Sequence, residues 1–180
     1  MSFSGMVKEE LSRHIGSGRH CRIAELAAIF TFCGSLEAGT DGKKSLRIQT
    51  ENEALSRKGF TLLQKTFNIE TKIFVRENSH LKRVKVYTIE ITDPEEIQVI
   101  FQALRLVTNS IDQGTLVLSD MLVVQQNCCK RAFIRGAFLA SGSISDPEKG
   151  YHFEIVCSDA KRAEQLQTII RSFSVDAKIV

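Results

Sequence analysis

The sequence predicts an α+β fold in which one helix-strand-strand unit occurs twice in a single chain. Three observations carry this. A helical segment ending in a glycine phrase recurs, a short alternating strand follows each copy, and an amphipathic helix closes each copy on the same phenylalanine phrase.

Residues 4–14 read as a leading helix, with Phe3, Val7 and Leu11 on one side. Cys21 is followed 13 residues on by Gly34, and Cys129 is followed 13 residues on by Gly142. Between them lie helix-like segments at 22–33 and 130–141. Each glycine opens the same phrase, Gly34-Ser35-Leu36 and Gly142-Ser143-Ile144. Residues 45–50 then alternate as a strand, Leu46 and Ile48 facing one way and Arg47 and Gln49 the other; residues 152–157 repeat the pattern. A helix starting at Thr50, with Glu53 completing a capping box, is matched by one starting near Ser158 and Asp159. The two helices end at Phe67-Asn68-Ile69 and Phe173-Ser174-Val175.

The first copy runs further. A turn at Glu77, Asn78 and Ser79 leads to a strand over 82–91. Asp93 and Pro94 then start a helix whose apolar stripe is Ile97, Ile100, Phe101, Leu104 and Val107. The resulting division is a leading helix at 1–20, a first repeat at 21–110, a connector at 111–127 and a second repeat at 128–180. The second repeat stops just inside the strand matching Ile73, so the repeat predicts an incomplete second copy.

Charge is concentrated. Lys72, Arg76, Lys82, Arg83 and Lys85 face a single acid, Glu77, giving residues 71–87 a net charge of +4 while the rest of the chain sums to −1. That is the footprint of a phosphate-facing surface, or of a hairpin edge whose lysines block aggregation. The five cysteines show no CxxC spacing and suit a reduced, cytoplasmic protein. Cys128 and Cys129 are adjacent, which argues against one shared zinc, and the four histidines are scattered without metal or catalytic spacing. No nucleotide-binding phrase, signal peptide or membrane-spanning run is present, so no metal, cofactor or membrane role is expected.

Ile134-Arg135-Gly136-Ala137-Phe138-Leu139-Ala140-Ser141-Gly142 resembles the LAGLIDADG motif of homing endonucleases, and residues 26–34 resemble it more loosely. More closely, the chain resembles the N-terminal part of the WhiA family of bacterial regulators. The phrases Val7-Lys8-Glu9-Glu10-Leu11, Arg22-Ile23-Ala24-Glu25-Leu26-Ala27, Thr50-Glu51-Asn52 and residues 135–149 carry that match.

The resemblance implies a pair of crossed helices backing an antiparallel β-saddle that lies along a DNA major groove. Small residues would line the crossing: Ala24 with Ala28, and Gly136 with Ala140. Gly34 and Gly142 would close the helices as left-handed caps. In the endonucleases an acid precedes each glycine and holds Mg²⁺, which demands oxygen ligands. Here Cys33 and Ser141 occupy those places, and Thr31 and Leu139 replace the preceding acids. The nuclease chemistry is therefore expected to be lost. Glu37, Asp41, Asp146 and Glu148 read as solvated turn residues.

On this resemblance the DNA-facing candidates are Lys43, Lys44, Arg47 and Gln49 from the first hairpin, then Lys72, Arg76, Arg83 and Lys85, with Lys149 and Lys178 from the second copy. Glu154 and Val156 stand where Arg47 and Gln49 would repeat, which weakens the second half as a DNA surface. The resemblance implies a cytoplasmic, nucleoid-associated regulator of transcription linked to sporulation, cell division or chromosome segregation. Its partner would be double-stranded DNA, and a monomer suffices because one chain supplies both halves. A helix-turn-helix domain, which follows in the family, is absent from this chain. The alternative is a docking domain for another regulatory protein, with DNA held by that further domain. Converging basic residues on the saddle would favour the first reading, and an exposed apolar patch the second.

Overall fold

The computed structural model describes residues 1–78, 80, 83–109 and 114–180. Helix α1 (Phe3–Ser12) starts where the Ser2 hydroxyl accepts a hydrogen bond from the Gly5 amide at 3.0 Å. Helix α2 (Arg19–Cys33) follows, and every residue from Ala24 to Phe30 is fully buried. A helix buried on all sides belongs at the centre of a fold rather than on its surface. The chain continues through strands β1 (Gly34–Ala38) and β2 (Lys44–Thr50) into helix α3 (Glu53–Phe67). Strands β3 (Ile73–Asn78) and β4 (Val84–Ile91) and helix α4 (Pro94–Leu104) complete the first copy.

These four strands form one antiparallel sheet, ordered β1-β2-β4-β3. Its inner face carries Leu46, Ile48, Ile89 and Ile91, all buried, because Leu46 pairs with Ile91 and Ile48 with Ile89. Helix α3 covers that face. Gly59 makes the approach close: a side-chain carbon there would meet Ile89 Cδ1 at 3.3 Å and Ile48 Cδ1 at 3.6 Å.

The described part of the connector carries secondary structure. Strand β6 (Leu116–Leu118) pairs with β5 (Leu106–Thr108), and a 3-10 turn follows at Leu122–Val124. The second copy repeats the first: helix α5 (Asn127–Ser141), the hairpin β7 (Gly142–Ile144) and β8 (Phe153–Ile155), and helix α6 (Ala160–Arg171). The match extends to backbone detail. Asn68 after α3 and Ser174 after α6 are both left-handed, with φ of 55° and 61°.

Four expectations are corrected. The cap of α3 is Asn52, whose side chain accepts from Leu55 N at 3.2 Å, and Thr50 instead ends β2. Val107 is not on the helical stripe, because Arg105 turns left-handed (φ 58°) and ends α4 first. Gly34 and Gly142 are extended, with φ of −100° and −92°, rather than left-handed. Glycine is required there for space: a side-chain carbon on Gly34 would lie 2.5 Å from Phe30 O, and one on Gly142 would lie 2.8 Å from Phe138 O. Residues 178–180, placed by the repeat at the start of a strand, form none.

Candidate functional site

Helices α2 and α5 pack along their lengths and form the seam between the copies. The small residues sit where the crossing needs them. A side-chain carbon on Gly136 would lie 2.7 Å from Glu25 O and 2.9 Å from Ala28 Cβ, so the α5 backbone touches the α2 backbone directly. Ala24 packs with Cys129 and Ala132, and Ala140 lines the main core.

Beside this crossing lies an ionic cluster that sequence reading missed. Glu25 is fully buried, and its carboxylate accepts two hydrogen bonds from Arg135, at 3.1 and 3.0 Å. It also pairs with Lys58 of α3, itself 1% exposed, which donates to Leu11 O at 2.7 Å. Two cations thus converge on one anion, tying α2, α5, α3 and the end of α1 together. Burial holds the Lys58 ammonium below its usual range, against the opposing pull of Glu25. The Glu25 and Arg135 positions lie within phrases of the family resemblance, but nothing in their spacing announced the pairing.

The ends of α2 and α5 carry the two positions that hold acids in the endonucleases. The Cys33 thiol donates back to Ile29 O at 3.2 Å, and burial pushes its pKa up to about 12. The Ser141 hydroxyl donates to Val156 O at 2.8 Å, and Val156 N donates to Ser141 O at 3.1 Å, so Ser141 clamps the residue that follows β8 to the end of α5. One group is a protonated soft ligand and the other a neutral hydroxyl already committed. Neither suits Mg²⁺. Thr31 is buried and bonded to Ala27 O.

The sheet's outer face is the one a saddle would present. The register puts Ser35, Glu37, Arg47, Gln49, Thr88, Glu90, Phe74 and Arg76 there. Arg47 pairs with Glu37 at 2.5 Å and with Glu90 at 3.0 Å, and Gln49 reaches Thr88 at 3.5 Å. The centre of the face thus holds one cation between two anions, so the cation is fully engaged and the trio carries a net negative charge. In the second copy Glu154 occupies the matching place and pairs with His152 at 3.1 Å.

The other candidates are dispersed. Lys85 shares its side of β4 with Tyr87, opposite to Arg76, because Arg76 pairs with Val86 and Lys85 with Glu77. Lys44 opens β2 on the inner-face side, opposite Ala38. Lys43 and Lys149 lie exposed in the two hairpin turns, Lys72 just before β3, and Arg83 just before β4. Lys178 lies beyond α6, 3.9 Å from Asp176. Lys82 falls outside the described residues. The basic residues of the distal β3–β4 arm do not converge on the saddle face: residues 74–78 are exposed on both faces, Arg76 and Lys85 are exposed on opposite sides, Arg83 is exposed just before β4, and Glu77 is the acid of β3. Phe74 and Val75 on the same arm are each 56% exposed.

This architecture is that of a LAGLIDADG protein. A homing endonuclease structure, of mesophilic variants of I-DmoI, aligns over 87% of this chain and 75% of its own with a TM-score of 0.56 and 15% identity. The crystal structure of the N-terminal LAGLIDADG domain of DUF199/WhiA aligns over 99% of this chain and 78% of its own, with a TM-score of 0.69 and 21% identity. Family models for the WhiA N-terminal LAGLIDADG-like domain and the WhiA LAGLIDADG-like domain match residues 19–107 and 130–180. A relative from Lachnoclostridium phytofermentans, described as a probable cell division protein WhiA, is 48% identical over the whole chain. One from Lachnospira eligens, with the same description, is 41% identical. The chain belongs to the WhiA family, and it spans 58% and 56% of the lengths of these two relatives. Among the described residues no helix is long and apolar enough to cross a membrane.

Proposed function

We propose that this chain is the non-cleaving, DNA-contacting module of a transcription regulator linked to cell division or sporulation. The observation that carries the DNA role is the exposed arm formed by β3 and β4. It presents Arg76, Arg83 and Lys85 on both of its sides, against one acid. A projecting basic arm can follow a phosphate backbone whichever face each residue occupies, and such contacts position a protein without reading sequence. Lys72 at the base of the arm extends the same contact, whereas Lys43 and Lys44 stand at the other end of the sheet, where Leu46 pairs with Ile91, and Lys149 in the second hairpin is apart from the arm in the chain. Arg47, held by Glu37 and Glu90, and Gln49 contribute little in this state. Cleavage is left out of the reading because Cys33 and Ser141 offer no carboxylate to hold Mg²⁺. The cell-division link rests on the descriptions of the relatives.

A second reading has its own support. Phe74 and Val75, more than half exposed on the arm, suit contact with another regulatory protein. Fluorescence anisotropy with labelled duplex DNA separates the two. Replacing Arg76, Arg83 and Lys85 together by alanine weakens binding at least tenfold if the arm holds DNA. Unchanged binding would move the function of the arm to protein docking.

A further inference from the structure

Four potential metal ligands gather at the N-terminal ends of the two central helices, opposite the ends that carry Cys33 and Ser141. His20 and Cys21 lie in the first turn of α2, and Cys128 and Cys129 in the first turn of α5. The repeat relates the pairs, since an offset of 108 residues takes His20 to Cys128 and Cys21 to Cys129. One ligand atom from each lies within 4.8 Å of every other, and His20 Nε2 is 3.4 Å from Cys128 Sγ. We propose that these four residues bind a zinc ion that staples the first repeat to the second.

The geometry fits a tetrahedral site. With Zn–S near about 2.3 Å and Zn–N near about 2.0 Å, the edges of the tetrahedron are about 3.6 Å for nitrogen to sulfur and about 3.8 Å for sulfur to sulfur. The His20–Cys128 distance already matches the first edge. Closing the widest separation takes a movement of about 1 Å, within reach of a cysteine rotamer. Three thiolates and an imidazole are a soft set that suits zinc and rejects magnesium or calcium.

The helix ends are built for such a group. Among the described residues α2 and α5 are the two α-helices without a side-chain cap: Ser2, Asn52, Asp93 and Asp159 cap the others, while Gly18 and Gln126 make no capping bond. Neither helix has an acid in its first turn. Thiolates there would supply negative charge where both helix dipoles favour it. Gly18 also leaves room for the imidazole, since a side-chain carbon at 18 would lie 2.8 Å from His20 Cε1. Cys129 is 4% exposed and packs with Ala24 and Ala132, apart from the main core, so the inner side of the site is dry and His20 is its exposed rim. Adjacency of Cys128 and Cys129 is no obstacle, because one points to the rim and the other into the seam. On binding, Zn²⁺ takes the place of three thiol protons, which pass to solvent, and the imidazole stays neutral.

The test uses the chain purified under reducing conditions. Zinc measured by elemental mass spectrometry should be about one ion per chain. Cobalt replacing it should give the visible band of tetrahedral thiolate coordination. Cys21→Ser and Cys129→Ser should abolish the band, and Cys33→Ser and Cys157→Ser should leave it. Zinc should slow alkylation of Cys21, Cys128 and Cys129 at least tenfold, a readout that needs no variant to fold. Three results overturn the proposal: a reduced chain that gives no cobalt band, cysteines that alkylate equally fast with and without zinc, or a disulfide among them in place of the metal.

Discussion

Replacing Gly136 by alanine tests the central helix crossing through the sign of its effect. In an ordinary helix interior this change stabilises by about 1 kcal/mol, because alanine has less backbone freedom to lose. Here the new methyl would lie 2.7 Å from Glu25 O and 2.9 Å from Ala28 Cβ, where ordinary contact begins at 3.4 Å. Helix backbone cannot turn aside as a side chain can, so α2 and α5 must part by about 0.7 Å, and a gap of that size forfeits a quarter to a half of each contact along the seam. Overpacking of this kind costs about 1–3 kcal/mol, and the same parting stretches the paired bonds from Arg135 to Glu25. With about 1 kcal/mol more for those stretched charged bonds, the loss after the propensity gain is about 1–3 kcal/mol. At about 2–4 °C per kcal/mol for a chain of this size, the melting temperature followed by circular dichroism falls by about 2–12 °C. Adding Ala28→Gly removes one of the two clashes but not the carbonyl, so it restores only part of the loss. A Gly136→Ala chain as stable as the original, or more so, would refute the close crossing.

Three further outcomes follow from the same geometry. Glu25→Gln leaves the buried Lys58 and the half-buried Arg135 without their anion, and urea denaturation should show a loss of about 3–5 kcal/mol. Cys33 keeps its proton in the folded state up to a pKa of about 12 while the unfolded thiol releases its own near 9.0. Its contribution to stability is therefore complete below pH 9.0 and lost as pH rises toward 12, at about 1.4 kcal/mol per pH unit, and Cys33→Ala should show a shallower alkaline fall in urea melts. Glu37→Gln combined with Glu90→Gln releases Arg47 on the outer face, and DNA affinity at low salt should rise several-fold; no rise would mean that this face stays clear of DNA.

Much of the fold was legible because repetition amplifies weak signals. Neither copy of the glycine phrase is decisive alone, yet the shared order of helix, hairpin and helix placed α2, α5, α3 and α6 within a few residues of their ends. Boundaries failed where two local solutions competed. Thr50 and Asn52 can both cap a helix, and pairing of Thr50 with Tyr87 in the sheet decided for Asn52. The sidedness of the arm was not legible. Alternation shows that Arg83 and Lys85 point alike, but only the register of β3 against β4 shows that Lys85 lies opposite to Arg76. Nor could charge counting foresee that Arg47 would be held by Glu37 and Glu90, which come from neighbours on either side. The cysteine and histidine cluster escaped a search for local spacing because its ligands are 108 residues apart, although the repeat that pairs them was in view.

The most direct test of the functional account is a salt series of duplex-DNA binding by this chain in the presence of Mg²⁺, with the DNA checked for strand breaks. The account predicts intact DNA and affinity that falls steeply with salt. In the chain lacking Arg76, Arg83 and Lys85 the slope of log affinity against log salt should be shallower by about 2–3. Cleaved DNA, or a slope indifferent to those three residues, would contradict it.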